Sequence, residues 1–429
     1  MSKYQLVCLK DIADSQTGPF GSQLHKSDYV SEGTPMVTVE HLGIERFTHQ
    51  NLPFVSDKDR DRLSKYLLKE GDIVFSRVGS VDRCTYVTKE EDGWMFSGRC
   101  IRVRTNEKAN GRYLNFYFRQ ETFKKMMLDI SVGATMPSLN TKLMDNIPLR
   151  LPNINTQKQI AKVLSDLDTK IEINNNINQE LEAMAKTLYN YWFVQFDFPD
   201  ANGKPYKSSG GKLVFNEELK REIPEGWEVK YLTEEMDLQY GFPFSTKLFN
   251  SEGNGIPVIR IRDILNCSIS NYSTEDVDGK YKLYKGDIIV GMDGNFHINY
   301  WNRENCYLNQ RSLRIRSQEG SISEMQTKFL IEPYIKAREK NVSRTTVAHL
   351  SARDVNDLKL LIATDKIQAK ANNIFKSYLK KIISNREQNQ KLSELRDWLL
   401  PMLMNGQVTV AEAESELGMV AEDREEYKK

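Results

Sequence analysis

Two short runs of this sequence place arginines at a spacing that suits binding of phosphate groups. The runs are RCIRVR and RSLRIR, and their arginines are Arg99, Arg102, Arg104, Arg311, Arg314 and Arg316. Basic and apolar residues alternate, so Arg102 and Arg104 are expected on one face of a β-strand. Guanidinium groups bind phosphate oxygens through charged hydrogen bonds. The six arginines are therefore candidate phosphate contacts.

Six other basic residues are further candidates for phosphate contacts. They are Arg77, Lys142, Arg260, Arg262, Arg344 and Arg353. For each residue alone, the alternative is a solvated strand or loop side chain. The set as a whole supports phosphate binding better than any single member does.

A search for catalytic motifs finds none that carries an activity. The sequence lacks a phosphate-binding GxxxxGK[ST] loop, a GxGxxG turn, an HExxH pair and the Asp/Asn-Pro-Pro-Tyr signature of amino-methyltransferases. Its five histidines are isolated, which favours no metal site. Asp72 and Asp287 recur in Gly-Asp-Ile, where a turn aspartate entering a strand is the better interpretation. We expect no catalytic residues, cofactor or metal in this chain.

Composition describes a globular chain of two to four domains. The 429 residues are 39% hydrophobic and 28% charged, with a net charge of +1. Five scattered cysteines, no apolar leader and no long apolar run favour a cytoplasmic protein without a membrane segment. The stretch from Ala411 to Lys429 holds seven acidic and three basic residues, which leaves about +5 on the remaining chain.

The chain repeats itself once, with a period of about half its length. KEGDIVFSRVG at Lys69 returns as KGDIIVGMDG at Lys285, and Pro35 is matched by Pro257, 222 residues later. Towards the end of each half the separation falls to 211 residues and stays there. Internal duplication at this period predicts two related half-proteins. In the first half, Arg112–Leu128 is expected to be a helix because its apolar residues recur every three or four positions.

Each half ends in a long segment with a seven-residue apolar repeat. The first runs over residues 156–194 and begins with a predicted capping box at Thr156, and the second lies near residues 366–405. Asparagines occupy equivalent seam positions, Asn174 with Asn385 and Asn178 with Asn389. Seam asparagines fix register, so we predict that the two helices pair antiparallel. The alternative is that each helix packs on its own globular part. The predicted pairing residues are Leu164, Leu167, Ile171, Asn174, Asn178, Leu181, Ile382, Asn385, Asn389 and Leu392.

These observations predict an α+β fold of two similar mixed α/β domains, separated by two long antiparallel coiled-coil helices and related by a pseudo-two-fold duplication. The predicted division is a first domain at 1–152, a first spacer helix at 153–195, a linker at 196–224, a second domain at 225–362, a second spacer helix at 363–408 and an acidic tail at 409–429. The Pro, Gly and Ser content of the linker predicts a connection and not a core. The tail is expected to fray.

The chain resembles the specificity subunits of type I DNA restriction–modification systems. The residues that carry the resemblance are the helix LPNINTQKQIAKVLSDLDTKIEINNNINQELEAMAKTLYNYWF, the connection FPDANGKPYKSSGGKLV and the entry IPEGWEVKYL. The two Gly-Asp-Ile strands add to it. Together these segments extend the resemblance from residue 1 to about residue 408.

The resemblance implies two target-recognition domains, each reading half of a split sequence in double-stranded DNA. It also implies partners: two methyltransferase subunits that bind S-adenosylmethionine, and restriction subunits that use ATP and Mg²⁺. This chain itself would be a non-catalytic subunit. The two halves differ in sequence, so we expect an asymmetric target. A cluster of Leu188, Tyr191, Trp192 and Phe193 would meet a partner or, alternatively, pack on the chain's own domain.

Two other interpretations remain open at this point. One is an enzyme in which methylation or cleavage resides in this chain, which the missing motifs oppose. The other is a coiled-coil adaptor that binds proteins and not DNA. Phosphate contacts predict a salt-sensitive affinity for DNA, which the adaptor would lack.

Overall fold

The computed structural model describes residues 4–133, 135–318, 322–340 and 349–422, with side chains as far as residue 416. The chain forms two compact units. Unit 1 combines Met1–Thr169 with Lys391–Lys429, and unit 2 is Lys170–Gln390. Each unit therefore contains part of both long helices. None of the helices in the described residues combines the length and apolarity needed to span a bilayer.

The described residues of the first half form ten strands and five α-helices. The strands are β1 Gln5–Cys8, β2 Ala13–Thr17, β3 Tyr29–Val30, β4 Thr34–Val37, β5 Phe54–Val55, β6 Ile73–Ser76, β7 Cys84–Tyr86, β8 Met95–Phe96, β9 Cys100–Thr105 and β10 Pro148–Leu151. The helices are α1 Asp57–Arg62, α2 Gly111–Phe118, α3 Glu121–Ile130, α4 Thr141–Asp145 and α5 Ile154–Tyr189, the last followed by a π-helical turn at Asn190–Val194.

The second half repeats this order after a short hairpin. Its strands are β11 Leu213–Asn216, β12 Arg221–Pro224, β13 Glu228–Tyr231, β14 Met236–Tyr240, β15 Phe249–Asn250, β16 Ile256–Ile259, β17 Tyr272–Ser273, β18 Lys282–Leu283, β19 Ile288–Gly291, β20 Ile298–Tyr300, β21 Cys306–Leu308, β22 Ser312–Ser317 and β23 Lys359–Ile362. Its helices are α6 Leu232–Glu235, α7 Ile261–Ile264, α8 Glu324–Lys340, α9 Ala352–Asn356, α10 Asp365–Asn405 and α11 Val410–Glu422.

The two halves share one sheet topology, as the duplication predicts. The central sheet of unit 1 has the order β2-β9-β6-β7, and that of unit 2 has the order β14-β22-β19-β20. All neighbours in these sheets are antiparallel. Each unit also has a parallel strand pair in a second sheet, β4 with β8 and β16 with β21. The opening strand of each half pairs with the strand that precedes its long helix, β1 with β10 and β13 with β23.

Both Gly-Asp-Ile motifs lead into a central strand that is buried on both faces. Ile73, Val74 and Phe75 on β6 are fully buried, as are their counterparts Ile288 and Ile289 on β19. Continuous β-branched and aromatic runs of this kind belong in a sheet covered on both sides. The central strand therefore anchors the core of each unit.

The two long helices pair antiparallel through their asparagines, which confirms the predicted pairing. In unit 2, Asn174 Nδ2 donates to Asn389 Oδ1 at 2.8 Å, and Asn385 Nδ2 donates to Asn178 Oδ1 at 2.9 Å. Asn174, Asn178 and Asn385 are buried. As residue numbers rise along α5 they fall along α10, which defines the antiparallel direction. Buried amides that donate hydrogen bonds across the helix pair favour a single register.

In unit 1 a charged contact continues the pairing. Arg396 Nη1 donates to Asp168 Oδ1 at 2.8 Å, and Arg119 Nη1 lies 3.4 Å from the other oxygen of Asp168. Arg396 occupies the position at which α5 carries Ala185 in unit 2. The carboxylates of Asp168 and Glu45 raise the pKa of Arg396 against the opposing effect of its burial. This pair is therefore specific to one unit.

Two predicted helix boundaries were wrong. Residues 112–128 form two helices, because Gln120 is extended and the break brings the rings of Phe118 and Phe123 into contact, with centroids 4.6 Å apart. At five residues apart they would diverge on one continuous helix. The long helix starts at Ile154 and not at Thr156, because Asn153 Oδ1 accepts a hydrogen bond from the Thr156 amide at 3.0 Å.

Two segments expected to lack packed structure are folded. Within the predicted linker, β11 pairs with β12, and Phe196, Phe198 and Ile223 are buried in the core of unit 2. The Phe198 ring stacks on Trp227 at 5.0 Å. The acidic tail contains α11, so it does not simply fray after Gly406.

We predict that the asparagine layer shows strong pairwise coupling. Asn178→Leu leaves the buried Asn385 amide without its acceptor and should lower the free energy of unfolding by about 1–3 kcal/mol. The double variant with Asn385→Leu removes both amides and should recover most of that loss. Urea unfolding of the two single variants and the double variant measures this. Additive losses would show that the two amides do not act as a pair.

Candidate nucleic-acid interface

Arginines on β9 and β22 clamp the repeated aspartates. Arg104 Nε and Nη2 donate to the two oxygens of Asp72, both at 2.7 Å. Arg316 makes the same bidentate contact with Asp287 at 2.6 and 2.7 Å. The aspartate side chains are only 1% and 2% exposed. The hydrogen bonds that Arg104 donates to Asp72 raise the pKa of Arg104. Each clamp ties the start of a central strand to the neighbouring strand.

Arg102 and Arg314 are buried at equivalent positions between strands. Arg102 Nη2 donates to Asp14 Oδ2 at 2.8 Å, and Arg314 donates to Asp237. Burial lowers the pKa of both guanidinium groups. The sequence predicted either a phosphate contact or a solvated side chain for these arginines, and neither prediction included an ion pair with Asp14 or Asp237. A contact from these arginines to DNA stays a prediction, while their contacts within the sheet are defined.

Arg77 organises one edge of unit 1. Its Nη1 donates to Gly98 O at 3.1 Å and its Nε to Leu139 O at 3.3 Å. Its backbone amide donates to Arg99 O at 2.8 Å. The loop after β6 is thereby joined to the start of β9, which follows Arg99, and to the segment that leads into Lys142.

Unit 2 builds the same edge with different side chains. The Met292 amide donates to Arg311 O at 2.9 Å, and the Leu350 amide donates to Met292 O at 2.8 Å. Asp293 pairs with Arg311, and its other oxygen lies 2.6 Å from His349 Nδ1. In unit 2 the Asp293 carboxylate therefore connects Arg311 with His349, whereas in unit 1 the Arg77 guanidinium connects the corresponding segments.

We define the basic edge of each unit by its exposed cations. In unit 1 these are Arg99 and Lys142, and in unit 2 they are Arg311 and Arg353. Lys142 on α4 and Arg353 on α9 are 211 residues apart, which is the repeat separation. Exposed cations at equivalent places in two units are suited to bind phosphates.

The remaining predicted contacts are less uniform. Arg260 is half-buried over the Phe249 ring, 5.8 Å from its centroid, and Arg262 is exposed. Arg344 lies outside the described residues. Sequence analysis missed Asp293 and His349. The fixed separation of 211 residues makes Lys142 and Arg353 equivalent positions. This equivalence is a sequence signal that points to the segment containing His349.

A second exposed feature is an apolar groove on the helix pair in unit 2. Its volume is about 900 Å³. The residues that line it are Glu180, Ala183, Met184, Thr187, Leu188, Tyr191, Asn373, Ile374, Ser377 and Tyr378. The exposed apolar residues of α5 continue in the same line through Ile173 and Ile177. Such a stripe is typical of a surface that binds another protein.

The aromatic cluster at the end of α5 is divided between two surroundings. Trp192 and Phe193 are buried in the core of unit 2, where Phe193 lies 5.4 Å from the Trp227 ring. Tyr191 is exposed and lines the groove together with Leu188. Packing on the chain's own domain is therefore confirmed for Trp192 and Phe193, and a partner contact by Leu188 and Tyr191 stays a prediction.

The cysteines and the acidic groups show no arrangement for catalysis in the described residues. Burial raises the pKa of Cys84 and Cys100 to about 12, which suppresses the reactive thiolate. His49, Glu90 and Glu91 bring possible ligand atoms within 4.8 Å of one another. Glu91 already accepts hydrogen bonds from Thr88 and lies 2.7 Å from His49 Nε2, which accounts for that cluster.

Comparison with known proteins gives a consistent result. The model of the type I restriction modification DNA specificity domain matches residues 1–183 and again residues 224–394. The chain is similar to the type I restriction enzyme MjaIX specificity subunit of Methanocaldococcus jannaschii, with 28% identity over 310 residues that cover 70% of this chain and 69% of that protein. It is also similar to the HindI specificity subunit of Haemophilus influenzae, with 24% identity covering 85% and 92%.

Among solved structures, the chain is similar to the type I restriction–modification S subunit from M. genitalium. The TM-score is 0.57 at 14% identity, covering 93% of this chain and 96% of that one. At this identity the likeness concerns the fold.

The chain belongs to the family of type I restriction modification DNA specificity domains. The predicted fold class of two similar domains with long helices is confirmed. The relatives are named as specificity subunits, which confirms the prediction of a non-catalytic subunit.

We predict that Arg104→Ala destabilises unit 1 by about 3 kcal/mol, because it leaves the buried Asp72 carboxylate without its cation. Arg99→Ala, five residues away and exposed, is the matched control and should change stability by less than about 0.5 kcal/mol. Chemical unfolding of both variants measures the difference. Equal effects would contradict a structural role for the clamp.

Proposed function

We propose that this chain is the DNA-specificity subunit of a type I restriction–modification complex, and that each of its two units reads one half of a split, asymmetric target. The observation that carries the proposal is the double match to the family, once in each half, combined with a basic edge at the same place in both units. A duplicated reader suits a ligand with two separate half-sites.

The basic edges would hold the DNA backbone. Arg99 and Lys142 are exposed on unit 1, and Arg311 and Arg353 on unit 2. Contacts of this kind position a protein on DNA, whereas sequence is read by side chains that reach the base edges. The side chains that read the bases would come from the loops that contain or flank these cations.

The two half-sites would differ because the two edges differ. Unit 1 has the Arg77 guanidinium at the point where unit 2 has Met292 followed by Asp293. Asp293 also engages Arg311 and His349, so a carboxylate and an imidazole lie at the second edge. Different donors and acceptors favour different bases.

The groove in unit 2 would dock a methyltransferase subunit. Its exposed apolar residues, including Met184 and Tyr191, suit the apolar face of a partner helix. The partners would be two methyltransferase subunits, and restriction subunits would join them. S-adenosylmethionine, ATP and Mg²⁺ would bind those partners and not this chain. Such a complex acts on cellular DNA, in keeping with the cytoplasmic location expected from the sequence.

The alternative of an adaptor that binds only proteins is less well supported. It explains the groove and the helix pair but gives no role to a basic edge repeated on two units. The experiments below separate the two functions, because one concerns only DNA and the other only the protein partner.

For DNA, we predict that Arg99→Ala with Lys142→Ala weakens binding and flattens its dependence on salt. The complex of this chain with its cognate methyltransferase subunit is titrated with duplex DNA at several salt concentrations. Two lost phosphate contacts should reduce the slope of log affinity against log salt by about 2. Lys89→Ala, an exposed lysine elsewhere in unit 1, is the control. An unchanged slope in the double variant would refute the assignment of this edge, and the absence of any salt-sensitive affinity for DNA in the unaltered complex would support the adaptor.

For the protein partner, we predict that Met184→Glu lowers the affinity for the methyltransferase subunit about tenfold or more. The charge would be buried in an apolar contact without a partner. Leu265→Glu places the same charge on an exposed apolar position outside the groove and should bind normally. Titration calorimetry compares the two, and equal affinity would remove the groove from the docking surface.

A further inference from the structure

The duplication allows the groove in unit 2 to be compared with its counterpart in unit 1. Shifting by 211 residues relates Ile374 to Val163, Tyr378 to Leu167 and Leu188 to Leu399. In unit 2 all three residues are half-buried and line the open groove. In unit 1 all three are buried, with Val163 only 2% exposed. The same apolar face is therefore open in one unit and covered in the other.

The chain reverses direction just after the long helix of unit 1. Gly406 has a positive φ of 76°, and the Gln407 amide donates to Met402 O at 2.9 Å. Thr409 then caps α11, because its Oγ1 accepts from the Glu412 amide and Glu412 Oε2 accepts from the Thr409 amide. This reciprocal cap gives α11 a defined start. Unit 2 has no equivalent helix after α5 among the described residues, because β11 and β12 follow there.

Two observations indicate that α11 lies beside the covered face. Ala413 is fully buried although its neighbours on α11 are exposed. The pKa of Lys162 is raised, mainly by its hydrogen bond to Asp166. The negative charge of Glu414 adds to this increase, so Glu414 on α11 lies near Lys162. Lys162 is the counterpart of Asn373, which lines the open groove.

We propose that α11 is an intramolecular occupant of this face, so that a methyltransferase subunit docks first on the open groove of unit 2 and engages unit 1 only by displacing α11. The inference rests on the proposed function for its partner, but the position of α11 is independent of it. The second methyltransferase subunit then binds more weakly than the first, although the two faces occupy equivalent positions in the duplicated sequence. Trp398, the counterpart of Thr187, stays exposed at 47% and offers the incoming partner a first contact.

The covering can be measured without any partner. Val163→Cys should react slowly with a maleimide in the full chain and quickly once residues 408–429 are removed. Ile374→Cys, its counterpart in the open groove, should react quickly in both. Labelling is followed at the individual peptide, so that the native cysteines do not interfere. Equal reactivity of Val163→Cys with and without the tail would overturn the inference.

Docking is then titrated with the purified methyltransferase subunit and followed by native mass spectrometry. For the full chain, the second subunit should bind about tenfold or more weakly than the first. Removal of residues 408–429 should bring the second step close to the first. Ala413→Arg, which disrupts the buried contact, should act like the truncation, whereas Ala411→Arg on the exposed side of α11 should not.

The outcomes separate this inference from the proposed function. If two subunits bind but neither Ala413→Arg nor the truncation alters the second step, α11 does not control docking and the inference fails while the proposed function stands. If no methyltransferase subunit binds any of these chains, the proposed docking function fails, and control of docking fails with it. Protection of Val163→Cys would in that case leave α11 as a cover without a docking role.

Discussion

The hydrogen-bonded pair between a buried aspartate and an arginine on the next strand holds each unit together. Asp72 caps its own turn by accepting the Lys69 amide at 2.8 Å and receives both nitrogens of the Arg104 fork. A carboxylate excluded from water is stable only when its oxygens are satisfied in this way. The same arrangement at Asp287 recurs with the Tyr284 amide and Arg316. It fixes β6 against β9 and β19 against β22, and the basic edges lie at the other ends of these strands.

A constant frame with a variable edge is a physical basis for specificity. The clamps and the strand orders are the same in both units, whereas the edges use Arg77 in one and Asp293 with His349 in the other. Changes at an exposed edge cost little stability, whereas changes at the clamp leave a buried charge. Evolution can therefore alter what each unit reads while leaving how it folds unchanged.

Much of this architecture could be predicted from the sequence, because the duplication makes each half a check on the other. The paired strands, the antiparallel helices and the seam asparagines all follow from repeated patterns. The partners of the arginines could not be predicted, since Asp14 is 88 residues from Arg102 and Asp72 is 32 from Arg104. Alternation shows which face a side chain occupies and not what covers that face. For the same reason, the packing of the hairpin at 213–224 and the helix α11 could not be predicted from composition alone.

The central claim is that one chain reads two unlike half-sites. The most direct measurement is to express it with its cognate methyltransferase subunit in an unmodified host and map modified bases across the genome by long-read sequencing. The account predicts methylation at a split motif of two different half-sites with a constant spacer, absent when this chain is omitted. Methylation that does not depend on this chain, or that falls on a single uninterrupted motif, would contradict it.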